Sequence, residues 1–281
     1  MSTVPPASPT AVSVLTALLE ARTGQQLASY RSWRLDTALK PVLKQRNLRS
    51  LDDLVTLLLD GQQVGVADQV VDALVNGESS FFRDALVFDL LRAAIESVEA
   101  QGRRARIWCA GCATGQEPLS LAMLFAERLE THGGTMPEIV ATDVSEAALA
   151  RARAGRYSQF EVQRGLPIRR LMQWFDGAPD NEWIAKPELV RHVQYRRANL
   201  VADPAPPGRF DLVLCRNVLL YLSPQAKPAV FARLAAALRP DGLFVMGAGE
   251  TVIGQTRLFE PSREVRGLYA KTPPGDATLA A

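Results

Sequence analysis

The residues Ile107-Trp108-Cys109-Ala110-Gly111-Cys112-Ala113-Thr114-Gly115-Gln116-Glu117 join a short apolar run to a loop of small side chains with two glycines. Pro118 then opens an apolar stretch over 119–129 at helical spacing. Gly111 and Gly115 would let a ligand lie close against the backbone, and the helix start offers N–H groups that have no intrahelical acceptor. That is chemistry for holding a cofactor. The pattern is Gly-x-x-x-Gly rather than the fuller Gly-x-Gly-x-x-Gly, so a plain turn before a helix is the competing reading. Further on, Glu138-Ile139-Val140-Ala141-Thr142-Asp143 ends an apolar run in an acid, the position from which a carboxylate takes ribose hydroxyls. Asp143 or Ser145 would equally cap a helix from Glu146 to Ala154, and the two roles are compatible.

Two more stretches carry candidate groups. In Asn76-Gly77-Glu78-Ser79-Ser80-Phe81-Phe82-Arg83-Asp84 the aromatics read as core, and a guanidinium buried beside them calls for an anionic partner. The apolar run Phe210-Asp211-Leu212-Val213-Leu214-Cys215 closes on Arg216-Asn217. No His–Asp or Cys–His pair stands ready for proton relay or nucleophilic attack. Cys109 and Cys112 have redox-pair spacing but straddle a strand end and its loop, so buried small side chains are the better reading. The three cysteines point to a reducing compartment without a disulfide framework. The two histidines, His132 and His192, lie far apart in sequence, and no metal site is expected.

These groups need an alternating scaffold of strands and helices to bring them together. The pattern predicts parallel strands at 107–110, 138–143, 193–200, 210–215 and 243–246, with a last strand at 267–271 after a loop over 258–266. A helix is expected over 224–238, ended by Pro240-Asp241-Gly242. Between the helix at 146–154 and Val193 lie roughly 40 residues, far more than a crossover needs. They read as a helical piece over 166–175 and an antiparallel hairpin of 183–186 with 189–195, inserted into the α/β sheet. The fold class is therefore α/β, a doubly wound and mostly parallel sheet with a small antiparallel β-subdomain at 156–195.

The first part of the chain differs. Residues 10–76 read as an all-helical domain: a helix presenting Leu15 and Leu19 and stopped by Gly24, and a second from about Tyr30 to Arg46, with a kink or a restart at Pro41. A third has a capping box at Ser50 and Asp53 and ends at Gly61, and a fourth covers 66–75. The second helix is basic, with Arg31, Arg34, Lys40 and Lys44 against the single acid Asp36; it is either a solvated face or a docking surface for an acidic partner. The α/β domain is expected over 77–271, and residues 1–9 and 272–281 as disordered tails. A net charge of +2 on 281 residues shows no global nucleic-acid footprint, no apolar run reaches the roughly 20 residues of a membrane span, and no signal peptide is evident.

Four of these stretches, taken in order and spacing, resemble the CheR-type chemotaxis receptor methyltransferases. They are Asn76 to Arg83, Ala110-Gly111-Cys112-Ala113-Thr114-Gly115-Gln116-Glu117-Pro118, Ala141-Thr142-Asp143-Val144-Ser145, and Phe210 to Val218; the likeness covers about residues 10–271. The resemblance implies an S-adenosylmethionine-dependent enzyme that esterifies glutamates on the cytoplasmic helices of methyl-accepting chemoreceptors and releases S-adenosylhomocysteine. It implies a helical N-terminal domain and a β-subdomain inside the methyltransferase domain. By position Gly77, Ser79, Arg83, Glu117, Asp143, Asn199, Leu200, Arg216 and Asn217 fall where the family contacts the cofactor. Asp143 would take the ribose hydroxyls, Asn199 and Leu200 would frame the adenine, and Arg216-Asn217 would line the methionyl side. Arg83 would pair with a carboxylate of cofactor or substrate. Gly77 stands where many members have Asn, so that contact is lost or comes from backbone.

A glutamate acceptor has a reference pKa of about 4.3 and is an anion at neutral pH, so methyl transfer from a sulfonium asks for alignment rather than a general base. The lack of a relay pair fits that chemistry. Tyr221, four residues after Asn217, would shape the methyl-transfer channel or simply pack. Arg31, Arg34, Lys40 and Lys44 would dock the acidic methylation helices. A cytoplasmic protein acting as a monomer, without nucleic acid or membrane insertion, is expected. Three other readings stand beside it: a nicotinamide-dependent dehydrogenase, a nucleic-acid methyltransferase, whose Asn-Pro-Pro-Tyr type of motif is missing at Arg216-Asn217-Val218, and a non-catalytic cofactor-sensing module. Some family members add a receptor's C-terminal pentapeptide as an extra strand on a glycine-punctuated loop of the subdomain. Here Asp176-Gly177-Ala178-Pro179-Asp180-Asn181 has one glycine and a proline that lacks a donor, so independence of such a peptide is expected.

Overall fold

The computed structural model describes residues 7–27, 33–61, 63 and 65–273, with the side chains of residues 33 and 34 outside that description. Of the expected disordered tails at 1–9 and 272–281, residues 1–6 and 274–281 lie outside the described residues, as do the expected start of the second helix at Tyr30, Arg31 and the Arg34 side chain, whereas Ser8 caps a helix that begins at Pro9 and Thr272 N donates to the Leu258 carbonyl. The chain forms two compact units: one runs to Asn76 and takes in Tyr221–Ala226, the other comprises Gly77–Leu220 and the chain from Lys227 onward.

The first unit is helical. α1 (Pro9–Thr23), α2 (Trp33–Arg46), α3 (Leu51–Asp60) and α4 (Val66–Leu74) pack around Leu15, Leu19, Leu39, Leu51, Leu54 and Val70. Their ends follow from local chemistry. The Ser8 and Ser50 hydroxyls accept from Ala11 N and Asp53 N at 3.1 and 3.0 Å, and Gly24 and Gly61 close α1 and α3 in the left-handed region. The Ser50 box is half made, because the Asp53 carboxylate accepts from Arg49 N at 3.1 Å instead of from Ser50 N. Pro41 lies inside α2, which continues past it. Tyr221–Ala226 joins this unit through a bridge between Gln25 and Leu222, with Gln26 N donating to the Tyr221 carbonyl at 2.7 Å.

The second unit begins with α5 (Ala85–Ala100), β1 (Arg106–Ala110), α6 (Gln116–His132), β2 (Glu138–Asp143) and α7 (Glu146–Ala154). An insert follows: β3 (Arg156–Ser158), α8 (Gln159–Gln163), α9 (Ile168–Trp174), β4 (Phe175–Ala178), β5 (Glu182–Ala185) and α10 (Pro187–Val190). The chain then returns through β6 (Val193–Arg197), β7 (Phe210–Leu214), α11 (Lys227–Ala237), β8 (Leu238–Val245), β9 (Phe259–Pro261) and β10 (Tyr269–Lys271). These strands form a seven-stranded sheet of order β6-β2-β1-β7-β8-β10-β9, parallel from β6 to β8 and antiparallel at β10 and β9. The central strands are continuous apolar runs because helices cover both faces: Ile107, Cys109, Ala141, Leu214 and their neighbours are buried throughout. From β1 the chain works outward through β2 to β6, then crosses back to β7 on the other side of β1. That reversal is a topological switch point, and it opens a crevice beyond the carboxyl ends of β1 and β7.

The insert is an antiparallel sheet of order β3-β5-β4. Its hairpin is built differently from the expected one. β4 pairs with β5 around Pro179–Asn181, Leu189 sits in α10, and 193–197 joins the main sheet, Val193 opposite Ile139. Pro187 explains the shift, since it opens the short helix α10 at the position where a missing N–H costs nothing. The insert also fixes the segment before α5: the Phe81 ring packs edge-on against Tyr157 and Phe175, with centroids 5.0 and 5.6 Å apart. Two other expectations change. Pro240-Asp241-Gly242 lies inside β8, where a register shift against β7 absorbs it, Phe210 facing Leu238 and Leu212 facing Leu243. The stretch expected as a loop contains β9 at the sheet edge.

Asp211 pins the amino-terminal edge of this sheet. Its side chain, 3% exposed, accepts from Arg106 N at 2.8 Å and pairs with Arg103 and, at 3.3 Å, with Arg239. One carboxylate thereby ties the starts of β1, β7 and β8. Asp211→Ala would take the acceptor from the Arg106 N–H and a shared counter-charge from Arg103 and Arg239, and we expect a loss of about 2–4 kcal/mol in unfolding free energy by urea denaturation. A change below about 0.5 kcal/mol, the size of an ordinary surface substitution, would show that Asp211 does not hold the edge.

Candidate active site

The carboxyl edge of the parallel strands collects the polar groups. Ala110 stands opposite Thr142 and Asp143 opposite Arg197, so the loops after β1, β2 and β6 leave side by side. The loop after β1 turns at once, with Gly111 N and Cys112 N both donating to the Thr142 carbonyl at 2.8 and 2.9 Å. Gly111 has φ +80°, and a Cβ there would stand 2.5 Å from Val218 Cγ2. The turn after β7 therefore packs where any other side chain would sit. Ala113, also left-handed, donates its N–H to Asp143 Oδ2 at 2.8 Å, and Ser145 N donates to Oδ1 at 2.9 Å. The two readings of Asp143 separate here. Ser145 caps α7, accepting from Ala148 N at 3.1 Å, and Asp143 orients both the loop and the cap. Each carboxylate oxygen has two lone pairs, so an acceptor fixed in this way can still take ligand hydroxyls. Gly115 starts α6 without a side-chain cap, so no side chain of the cap residue occupies the N–H groups of the first turn. Behind the loop, Tyr157 Oη donates to the Thr114 carbonyl at 2.8 Å.

The second cluster centres on Arg216, whose side chain is 2% exposed. Nη1 donates to Glu117 Oε2 at 2.9 Å, and Nη2 donates to Asp84 Oδ2 at 2.7 Å and to the Arg83 carbonyl at 2.8 Å. Burial pushes the Glu117 carboxyl above its usual range, against the pull of Arg216 and Arg83, and the nearby Glu250 pushes the same way as burial. The deeply buried guanidinium is thus Arg216. Arg83 is half-buried and makes no ion pair of its own among the described residues, though its charge acts on the Glu117 carboxyl. Beyond Arg216, Asn217 adopts φ +58° and donates its N–H to Glu250 Oε2 at 2.6 Å, while its buried Oδ1 has no hydrogen-bond partner.

Of the remaining candidates, Asn199 and Leu200 follow β6 in a tight turn. Asn199 N donates to Asp203 Oδ2 and Val201 N to Asn199 Oδ1, both at 2.8 Å. Ala198 N, next to them, donates to the Asp143 carbonyl, so this turn lies beside the β2 end. Gly77 is exposed and Ser79 half-buried on the segment leading to Phe81. Tyr221 is counted with the helical unit, as are the exposed Lys40 and Lys44, so the cluster described here is built without them. Cys109, Cys112 and Cys215 are buried and free, and burial raises their thiols well above the usual range, leaving them as packing groups. Two residues went unnoticed as site groups in the sequence. Asp84 adjoins Arg83, and Glu250 follows Gly247-Ala248-Gly249 at a parallel strand end; the second position, an acid just past such an end, is the signal that picked out Asp143.

The arrangement can hold a nucleoside-bearing cofactor. Asp143 offers a buried carboxylate, the Gly111 turn leaves no room for a side chain, and the unpartnered Asn217 Oδ1 awaits a donor on the far side of β1. Residues 77–267 match the CheR methyltransferase S-adenosylmethionine-binding domain. Chemotaxis protein methyltransferase 1 of Pseudomonas aeruginosa is 36% identical over 240 residues, covering 83% of this chain and 87% of that protein. The chemotaxis protein methyltransferase of Vibrio parahaemolyticus is 34% identical over 256 residues, 90% of this chain and 93% of the relative. The Escherichia coli chemotaxis protein methyltransferase is 28% identical over 248 residues. The chain therefore belongs to the CheR methyltransferase family and uses S-adenosylmethionine.

Proposed function

We propose that this protein methylates glutamate carboxylates on the cytoplasmic helices of methyl-accepting chemoreceptors, and that it works in the cytoplasm. The observation that supports this reading is the gathering of Asp143 and the Arg216 cluster at the carboxyl edge of the sheet, with no proton-relay pair beside them among the described residues. Among the described residues no helix is long and apolar enough to cross a membrane. When bound, S-adenosylmethionine supplies a methyl group already activated by its sulfonium. The acceptor, with a reference pKa near 4.3, carries its negative charge at neutral pH, so no side chain has to remove a proton. The protein's work is then binding, alignment and exclusion of water.

In this proposal Asp143 takes the ribose hydroxyls, Asn199 and Leu200 frame the adenine, and Glu117 faces the ammonium of the methionyl part. Arg216 and Asn217 line that same side. Gly77 and Ser79 close over the crevice from the segment before Phe81. Arg83, half-exposed and without an ion pair among the described residues, is left to draw the incoming carboxylate. Tyr221 enters through the family resemblance alone. Labelled methyl donor incubated with receptor-bearing membranes should give base-labile label on the receptor, as an ester requires. Asp143→Ala should weaken S-adenosylhomocysteine binding by about 1.5–3 kcal/mol in calorimetry. Base-stable label would contradict ester formation, and unchanged affinity would remove Asp143 from the site.

Receptor capture is proposed to rest on charge. Lys40 and Lys44 are exposed one helical turn apart on α2, and with Arg31 and Arg34 they would steer acidic methylation helices. The subdomain offers less to a tethering peptide. Its edge strand β4 has four residues and runs directly into Pro179, which has no donor for an added strand. Reversing Lys40 and Lys44 to Glu should slow receptor methylation while cofactor affinity holds. A receptor-tail pentapeptide should give no binding heat. Micromolar binding of that peptide, or methylation rates indifferent to the charge reversal, would count against direct docking.

A further inference from the structure

β7 and β8 end side by side, and a single carboxylate ties together the turns beyond them. Glu250 Oε2 accepts from Asn217 N at 2.6 Å and from Gly247 N at 3.0 Å, and Oε1 accepts from Leu220 N at 3.2 Å. Three backbone N–H groups on one carboxylate make a firm clamp. It holds Asn217 in the left-handed region at φ +58°, which asparagine enters more readily than most residues with a side chain. The carboxamide of Asn217 then lies flat against Gly247. A Cβ on Gly247 would stand 2.7 Å from Asn217 Nδ2 and 2.8 Å from Oδ1. Gly247 is not in the left-handed region, so glycine is needed there for room, not for backbone freedom. The outcome of both constraints is a buried amide oxygen with no hydrogen-bond partner, an arrangement that costs stability unless a ligand supplies a donor.

We infer that Glu250 is a positioning residue for cofactor binding: resting on the cofactor arrangement proposed above, it fixes the Asn217 turn so that the Asn217 amide oxygen meets the ammonium group of the methionyl part. Glu250 itself does not touch the cofactor in this scheme. Gly247 serves the same end by leaving the carboxamide its place. Asp143, on the other side of β1, holds the nucleoside independently of this clamp.

The two halves of the ligand separate the effects. S-adenosylhomocysteine carries the amino-acid part, and adenosine lacks it. Titration of each into the full-length protein, followed by calorimetry or ligand-detected NMR, gives the readout without turnover. Glu250→Ala should weaken S-adenosylhomocysteine about tenfold or more, the scale of one charge-assisted hydrogen bond, and leave adenosine unchanged. Gly247→Ala keeps the clamp but crowds the carboxamide, and it should show the same selective loss. Glu250→Gln retains one oxygen able to accept from Asn217 N and Gly247 N, and its affinity should stay within about threefold of wild type. Equal loss of both ligands in Glu250→Ala, or undiminished S-adenosylhomocysteine binding in either Glu250→Ala or Gly247→Ala, would overturn the assignment. If Glu250→Ala fails to fold, Gly247→Ala decides. A wild-type protein that binds neither ligand overturns the cofactor arrangement, and the role of Glu250 with it.

Discussion

A single buried cation organises the carboxyl edge of the sheet. The Arg216 guanidinium reaches the Asp84 and Glu117 carboxylates and the Arg83 carbonyl, and so joins the end of β7 to two other segments of the chain. A charge this far from water is tolerated only when paired and hydrogen-bonded, and a planar fork suits two carboxylates better than an ammonium would. The dependence runs both ways. Without Arg216, Glu117 would lose its counter-charge, and burial already holds its carboxyl above the usual range. The chain after Phe82, the first turn of α6 and the end of β7 thus share one anchor.

Around that anchor the backbone is held in conformations it would not choose. Among the described residues, seven non-glycine positions have positive φ, and four of them, Phe82, Asp84, Ala113 and Asn217, line this edge. Each is restrained by a side-chain bond. Phe82 N donates to Ser120 Oγ at 3.0 Å, Asp84 is fixed by Arg216, Ala113 N by Asp143, and Asn217 N by Glu250. Strain of this kind persists where the surroundings over-determine it, and it concentrates where a site must be ready before its ligand arrives. The rigid sheet below and the insert behind, through Tyr157 on the Thr114 carbonyl, supply that over-determination.

Much of this was legible in the sequence because the relevant signals are local. Apolar runs closing on Gly111, Asp143 and Arg216 mark parallel strand ends, and parallel strands buried on both faces leave little else for such runs to be. Ser50, Gly24 and Gly61 announce helix ends by their own side-chain chemistry or its absence. What escaped notice depends on pairing between distant segments. The run at 189–195 alternates well enough for a hairpin, but Pro187 and the free edge of β2 decide its partner. Pro240-Asp241-Gly242 looks like a helix stop and becomes a bulge because β7 lies alongside. Arg83 and Arg216 cannot be ranked by burial until the sheet places one of them beneath the other's carbonyl. Glu250 stands just past a strand end, as Asp143 does, but its role exists only once the turns after β7 and β8 are neighbours.

Whether Arg216 is the common anchor can be read directly from amide hydrogen exchange of the ligand-free protein, comparing wild type with Arg216→Met. An anchor predicts faster exchange at amides in three separate places, around 82–86, 116–119 and 216–220, with the interior amides of β1 and β2 unchanged. Exchange that stays at wild-type rates in all three segments, or that rises uniformly across the sheet, would contradict it.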